Sequence, residues 1–185
     1  MKNYKISLNG DLGSGKSTVG DLLTKKYALE KISIGDILRK MASDYNMDVT
    51  TFNKYMETHP EIDGLVDDKL KEYENIDGRY LFDSRLAWHF VPSSFKVYMQ
   101  AKVETSAKRI LNAGRQTEVY KSEEEAVKQI LKRRESENLR YKTLYGVDIT
   151  DMNNYDLVVQ TDNKTPTEIA NIICKEFEKF LNKGE

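Results

Sequence analysis

The stretch Gly10-Asp11-Leu12-Gly13-Ser14-Gly15-Lys16-Ser17 constrains this chain more than any other. It fits the phosphate-binding pattern G-x-x-x-x-G-K-[ST] without a mismatch. Ahead of it, Tyr4 to Asn9 reads as a short strand with Ile6 and Leu8 on one face. After it, Lys16 to Ala28 reads as a helix with Val19, Leu22, Leu23 and Tyr27 at helical spacing. Strand, glycine loop and helix in that order are what the motif requires.

The residue types supply the chemistry. Glycine lets a backbone wrap closely round an anion, and successive N–H groups then point inward as a nest, helped by the free N–H groups of the helix start. Lys16 brings a full positive charge for the β- and γ-phosphates of ATP, and Ser17 a hydroxyl for Mg²⁺. The expected phosphate-binding set is Gly10, Gly13, Ser14, Gly15, Lys16, Ser17 and Thr18. Asp11 is anomalous: a carboxylate inside a phosphate loop repels the ligand unless it points outward.

Composition narrows the class. At 185 residues the chain suits one domain, or a core with inserts. With 32% charged and 39% apolar residues it reads as a very soluble globular enzyme. A net charge of −1 gives no global basic field, which argues against a nucleic-acid partner, so phosphates must be met by local clusters. The single cysteine, Cys174, excludes an intramolecular disulfide and suits a reducing compartment. It lies beside the apolar stripe Ile169, Ile172, Ile173, Phe177 and Phe180, as a buried inert thiol. No apolar run approaches a membrane span, and the first strand leaves no room for a signal peptide, so the expected location is cytoplasmic.

Strand and helix signals alternate along the chain, which predicts a three-layer α/β fold on a parallel sheet. Leu29 to Ser33 is the second strand, and Gly35 opens a helix with Ile37, Leu38 and Met41 apolar. Thr50 or Thr51 caps a short helix through Met56. Pro60 opens another to about Glu74, with Ile62, Leu65, Val66, Leu70 and Tyr73 apolar. Residues 35–75 therefore hold helices and no strand, which predicts a helical insert. Arg79 to Asp83 and Phe95 to Gln100 are the third and fourth strands. Glu104 to Asn112 is a helix capped by Glu104 or Thr105 and broken at Ala113-Gly114. Ser122-Glu123-Glu124-Glu125 is a capping box that starts a long charged helix to about Tyr145. Asp156 to Gln160 is the fifth strand, and Pro166 opens the last helix. The core is thus expected over 1–34, 76–112 and 150–185, and a mobile flap over about 113–133.

Several side chains could carry chemistry. Asp83 ends an apolar strand, where it reads either as a carboxylate for Mg²⁺ or as a strand-end cap. His89 has no metal partner but His59, so zinc is not expected and His89 reads as structural. Arg39 and Arg85 fall where an acceptor phosphate could lie, since arginine donates in pairs from a planar fork. Further on come Arg109, Arg115, Lys132, Arg133, Arg134 and Arg140. On a helix Arg133 and Arg140 share a face with Glu137 between them. That cluster is either a solvated, salt-bridged face or part of a lid that closes over a phosphoryl group and excludes water.

These residues resemble a known family, the cytidylate kinase-like nucleoside monophosphate kinases. Ile34-Gly35-Asp36-Ile37-Leu38-Arg39 is similar to the Ser/Thr-Gly-Asp-x-x-Arg that opens the monophosphate-binding helices. Phe52-Asn53-Lys54-Tyr55 and Pro60-Glu61-Ile62-Asp63 resemble the helical insert of the cytidylate branch. Asp83-Ser84-Arg85-Leu86-Ala87-Trp88 is similar to its Glu-Gly-Arg-Leu-Ala-Gly-Trp. Arg134-Glu135-Ser136-Glu137 with Arg140-Tyr141 and Tyr145-Gly146-Val147-Asp148 look like its post-lid helix, and Tyr155-Asp156-Leu157-Val158 like its last strand. The resemblance implies ATP-dependent phosphorylation of CMP or dCMP with Mg²⁺ and a sheet order 2-3-1-4-5; the chain is expected to be a monomer. It implies that Arg39 and Arg85 clamp the acceptor phosphate, with Gly35, Asp36, Asp63 and Arg140 nearby, and that Arg109 and Arg134 stabilise the transferring group. Asp63 and Asp67 share a helix face and could meet base or ribose, or simply be solvated.

The chain departs from the branch at four places. It keeps Lys16 where many members have threonine, and has Asp83-Ser84-Arg85 for Glu-Gly-Arg. Trp88 comes one residue early. Ala113 stands where the lid usually repeats an arginine, with Arg115 two later. Two other readings remain. One is a phosphate-loop kinase for another nucleotide, a nucleoside or a small metabolite. The other is a nucleotide-binding switch, since Asn163-Lys164-Thr165 superficially resembles the guanine-reading Asn-Lys-x-Asp, although Pro166 occupies the Asp position.

Overall fold

β1 (Tyr4–Gly10) runs through the middle of a five-stranded parallel sheet, and the rest of the chain is laid down on either side of it. The computed structural model describes residues 3–113 and 120–183, without the side chains of Thr50, Asp63, Val66 and Lys183. After β1 come α1 (Lys16–Tyr27), β2 (Glu30–Ser33), α2 (Ile34–Asp44), α3 (Val49–Glu57), α4 (Pro60–Glu72) and β3 (Arg79–Asp83). Then follow α5 (Ala87–Phe90), β4 (Phe95–Gln100), α6 (Val103–Asn112), α7 (Glu123–Tyr145), β5 (Leu157–Gln160) and α8 (Pro166–Lys183). The sheet order is β2-β3-β1-β4-β5, as the family resemblance implied. The register sets Ser33 beside Asp83, Asp83 beside Leu8, and Gly10 beside Met99. The carboxyl ends of these strands thus share one edge, where open α/β sheets bind ligands.

A parallel sheet must be covered on both faces. On one face Ile6, Leu8, Leu81, Val97 and Met99 pack under α1 and α8, with Cys174 buried among them. On the other, Phe82, Tyr98, Trp88, Tyr141 and Tyr155 form a second core beneath α5 and the end of α7. The helices between β2 and β3 carry a small core of their own, Ala42, Phe52, Met56 and Ile62. No helix among the described residues is long and apolar enough to cross a membrane.

Four local expectations are corrected. Asp48, not Thr50 or Thr51, caps α3: its carboxylate accepts from the Thr51 N–H at 2.8 Å, a charged acceptor placed at the positive end of the helix. Neither Glu104 nor Thr105 caps α6. Asp162, beyond β5, accepts from the Lys102 N–H at 3.1 Å instead. Leu65 is 64% exposed rather than on the buried face of α4. The flap expected over 113–133 is, from Glu123 onward, regular helix capped by Ser122, whose hydroxyl accepts from the Glu125 N–H. Its charged sequence hides a thin apolar stripe, Ala126 and Ile130, packed on Ala107 and Ile110 of α6. Arg115 lies outside the described residues.

Phe177 is fully buried, with its ring 5.5 Å from Tyr4, 5.2 Å from Tyr27 and 5.5 Å from Phe95, centroid to centroid. Phe177→Ala should cost about 3–5 kcal/mol. A urea melt checks the loss, and ligand binding at low temperature should be unchanged, because Tyr4 and Phe95 begin their strands while the ligand-binding edge lies at the strands' carboxyl ends.

Candidate active site

The phosphate loop is shaped by what it lies against. A Cβ on Gly10, whose φ is +149°, would sit 2.3 Å from the Met99 carbonyl. One on Gly13, at φ +71°, would sit 2.7 Å from that of Ser106. Both positions are closed to any side chain, so β4 and α6 hold the loop's curve. Lys16 bends back inside it and donates to the carbonyls of Gly10 at 2.9 Å and Asp11 at 2.8 Å.

A cavity of about 200 Å³ opens from this loop toward the inserted helices. Five cationic side chains line it: Lys16, Arg39, Arg85, Arg133 and Arg140. Asp83, Ser17, Thr18, Gly35, Asn53 and Asp67 line it too. Glu137 holds the centre. Its buried carboxylate accepts from Nε of Arg85 at 2.9 Å and from Nε of Arg133 at 2.9 Å. Burial alone would raise its pKa, but Arg85 and Arg133 outweigh that and hold it at about 2. Arg85 also donates to the Gly10 carbonyl, and Arg39 pairs with Asp36. Ser33 caps α2, its Oγ accepting from the Asp36 N–H at 3.3 Å, which fixes the root of the insert beside Asp83. Burial, and then the Arg85 charge, push Lys16 down to about 7.

The other expected residues are distributed as follows. Gly13, Ser14 and Gly15 line the cavity, and Gly10 contributes its carbonyl. Arg140 is buried, with Nη1 3.4 Å from the Asn53 carbonyl. The Asp63 side chain lies outside the described residues. Arg109 stands behind the loop, donating to Thr161 through Oγ1 at 3.0 Å and the carbonyl at 2.7 Å, with the Gly13 carbonyl 3.4 Å away. Arg134 does not line the cavity. Its neighbour Arg133 does, because one residue turns a helix side chain by about 100°. Arg134 instead reaches Asp11, at 3.2 Å, beside a second cavity of about 30 Å³. Asp11 does point away from the phosphate nest: its carboxylate accepts from Tyr98 Oη at 2.9 Å and the Ala101 N–H at 2.9 Å. Asp67, which could have been a solvated carboxylate, is buried and accepts from Tyr145. Its only signal was its place four residues after Asp63. His89 packs edge-on to Trp88 and Phe90, away from the cavity, and burial followed by the Lys71 charge lowers its pKa.

Ser17 and Asp83 both line the cavity and offer hard oxygen donors of the kind suited to Mg²⁺ held chiefly by substrate phosphates. Among the described residues no group of three or more His, Cys, Asp or Glu side chains forms a metal cage by itself.

A family model described as an AAA domain matches residues 6–132. A cytidylate kinase of Methanosarcina acetivorans is 35% identical over 172 residues, covering 91% of this chain and 93% of that one. This chain belongs to the cytidylate kinase-like family of P-loop kinases. Such a kinase also resembles part of a larger enzyme. An S-adenosylmethionine-dependent nucleotide dehydratase of Lacinutrix mariniflava is 34% identical over 176 residues, 95% of this chain but 36% of that one. The kinase thus spans about a third of that relative's length. Shikimate kinase of Bacteroides thetaiotaomicron shares the fold, with a TM-score of 0.66, 14% identity, and coverage of 98% and 99% of the two chains.

The lowered pKa of Lys16 predicts a pH signature. Bound phosphates favour the charged ammonium, so above pH 7 binding must take up a proton. Affinity for MgATP should then fall as pH rises past about 7, by up to about tenfold per unit until the pKa of the complex is reached. Calorimetric titrations at pH 8 in buffers of different ionisation enthalpy should register that uptake, and Lys16→Met should abolish it.

Proposed function

We propose that this kinase transfers the terminal phosphoryl group of ATP to a nucleoside monophosphate, CMP or dCMP. The observation that carries the reading is the surplus of cations beyond the phosphate loop. Lys16 and the loop N–H groups suffice for a triphosphate tail, yet Arg39, Arg85, Arg133 and Arg140 enter the same cavity. A second phosphate is the simplest ligand that answers them. The relatives support a nucleotide acceptor, since most of this chain is similar to cytidylate kinases and to part of a nucleotide dehydratase.

In this reading Lys16 leaves its loop carbonyls for the β- and γ-phosphates. Arg39 and Arg85 hold the acceptor phosphate in line. An oxygen of that phosphate bonds to the γ-phosphorus as the bond to the β,γ-bridging oxygen breaks, leaving ADP and the nucleoside diphosphate. Charge spreads over the three equatorial oxygens of the moving group, and Arg133, which lines the cavity beside Glu137, is the guanidinium that would meet it. Ser17 and Asp83 would hold Mg²⁺, which neutralises charge on the phosphate oxygens. Asp67 supplies a buried acceptor for the exocyclic amine of cytosine, which uracil lacks.

The test is ADP release with CMP, dCMP, UMP, AMP, GMP and dTMP. CMP or dCMP should give the highest kcat/KM, and turnover with no monophosphate would overturn the reading. Arg39→Ala should raise the acceptor KM about tenfold or more, with the ATP KM within about twofold. An unchanged acceptor KM points to an acceptor without a phosphate. Asp67→Asn should narrow the preference for CMP over UMP.

A further inference from the structure

We propose that Arg134 acts through Asp11 rather than on the transferring phosphoryl group: it is the counter-charge that lets a phosphate loop carry a carboxylate. Residue 11 has two faces. Its carbonyl points inward and accepts the Lys16 ammonium at 2.8 Å, while its own N–H donates to the Met99 carbonyl at 2.9 Å. Its carboxylate points the other way and is buried, fixed by Tyr98 Oη, the Ala101 N–H and Nη1 of Arg134. Burial and the Asp11 charge keep the Tyr98 phenol neutral and therefore a donor. Of these three groups around the carboxylate two are neutral, and Arg134 brings the full opposite charge.

The position makes the neutralisation matter. The carboxylate is one residue from Gly10 and lies on the wall shared with the anion nest. Without Arg134 a buried negative charge would face four more from a triphosphate. With Arg134 the Asp11 charge is compensated, and the middle of α7, which also carries Arg133 and Glu137 into the main cavity, is fastened to the loop. Arg134 lines only the small cavity with Asp11 and Tyr98, which separates its role from that of Arg133. This inference rests on the kinase assignment alone and not on which acceptor is used.

The experiment measures MgATP affinity by titration, without acceptor, for the native enzyme and three variants. Arg134→Gln leaves the carboxylate uncompensated and should weaken binding by about tenfold. Arg134→Lys keeps the charge and should bind within about threefold of native, since neutralisation needs no planar fork. In Asp11→Asn/Arg134→Gln the repulsion is gone, and affinity should return to within about threefold of native. The proposal is overturned if Arg134→Gln binds like the native enzyme, or if the double variant stays as weak as Arg134→Gln, which is the result expected of an arginine that touches ATP. Should the double variant not fold by circular dichroism, the Lys and Gln variants decide it: equal weakening in both would overturn the proposal.

Discussion

Repulsion among five cations in one cavity is what the surrounding structure has to contain. Each is held by a specific acceptor until a ligand arrives. Lys16 is tied to two carbonyls of its own loop, Arg39 to Asp36, and Arg85 and Arg133 to the two oxygens of Glu137. Glu137 joins two structural units, the segment after β3 and the long helix α7. Charges brought this close in a partly desolvated space are expensive to assemble when a ligand binds, and cheap to use if assembled during folding. The apolar cores on both faces of the sheet supply the stability against which the cavity is held.

The division of the fold matches a division of labour. The loop, α1 and the ends of β1 and β4 make an anion site whose shape is closed to variation at Gly10 and Gly13. The three helices between β2 and β3 pack on their own small core and bring Arg39, Asn53 and Asp67 to the opposite side of the cavity. In the proposed reading, changes within those helices would alter the acceptor without disturbing the loop. The altered residues Asp83, Ser84 and Trp88 lie at the junction, where Trp88 Nε1 donates to the Arg85 carbonyl at 2.9 Å and so fixes the backbone that carries Arg85.

The sheet was legible in the sequence because its strands are short apolar runs separated by good helix signals, and the loop because its glycines are spaced for one purpose. That Arg39 and Arg85 line the cavity was legible from their offsets to those elements, whereas Arg140 could equally have been part of a solvated helix face. What the sequence hid was direction. The outward turn of Asp11 is set by Tyr98 and Ala101, about ninety positions away, which no local pattern encodes. The choice between Arg133 and Arg134 depends on the phase of α7, fixed by Ala126 and Ile130 against α6 rather than by the charges themselves. Caps failed for the same reason: α6 is tied by Asp162, from a different crossover.

The central claim is that one cavity receives two nucleotides with their phosphate ends facing. The most direct measurement is calorimetric titration with a single molecule in which adenosine and cytidine are joined 5′ to 5′ through five phosphates. The account predicts one ligand per chain, bound at least about 100-fold more tightly than ATP or CMP alone, because the second contact becomes intramolecular. Binding no tighter than that of ATP, or two ligands per chain, would contradict it.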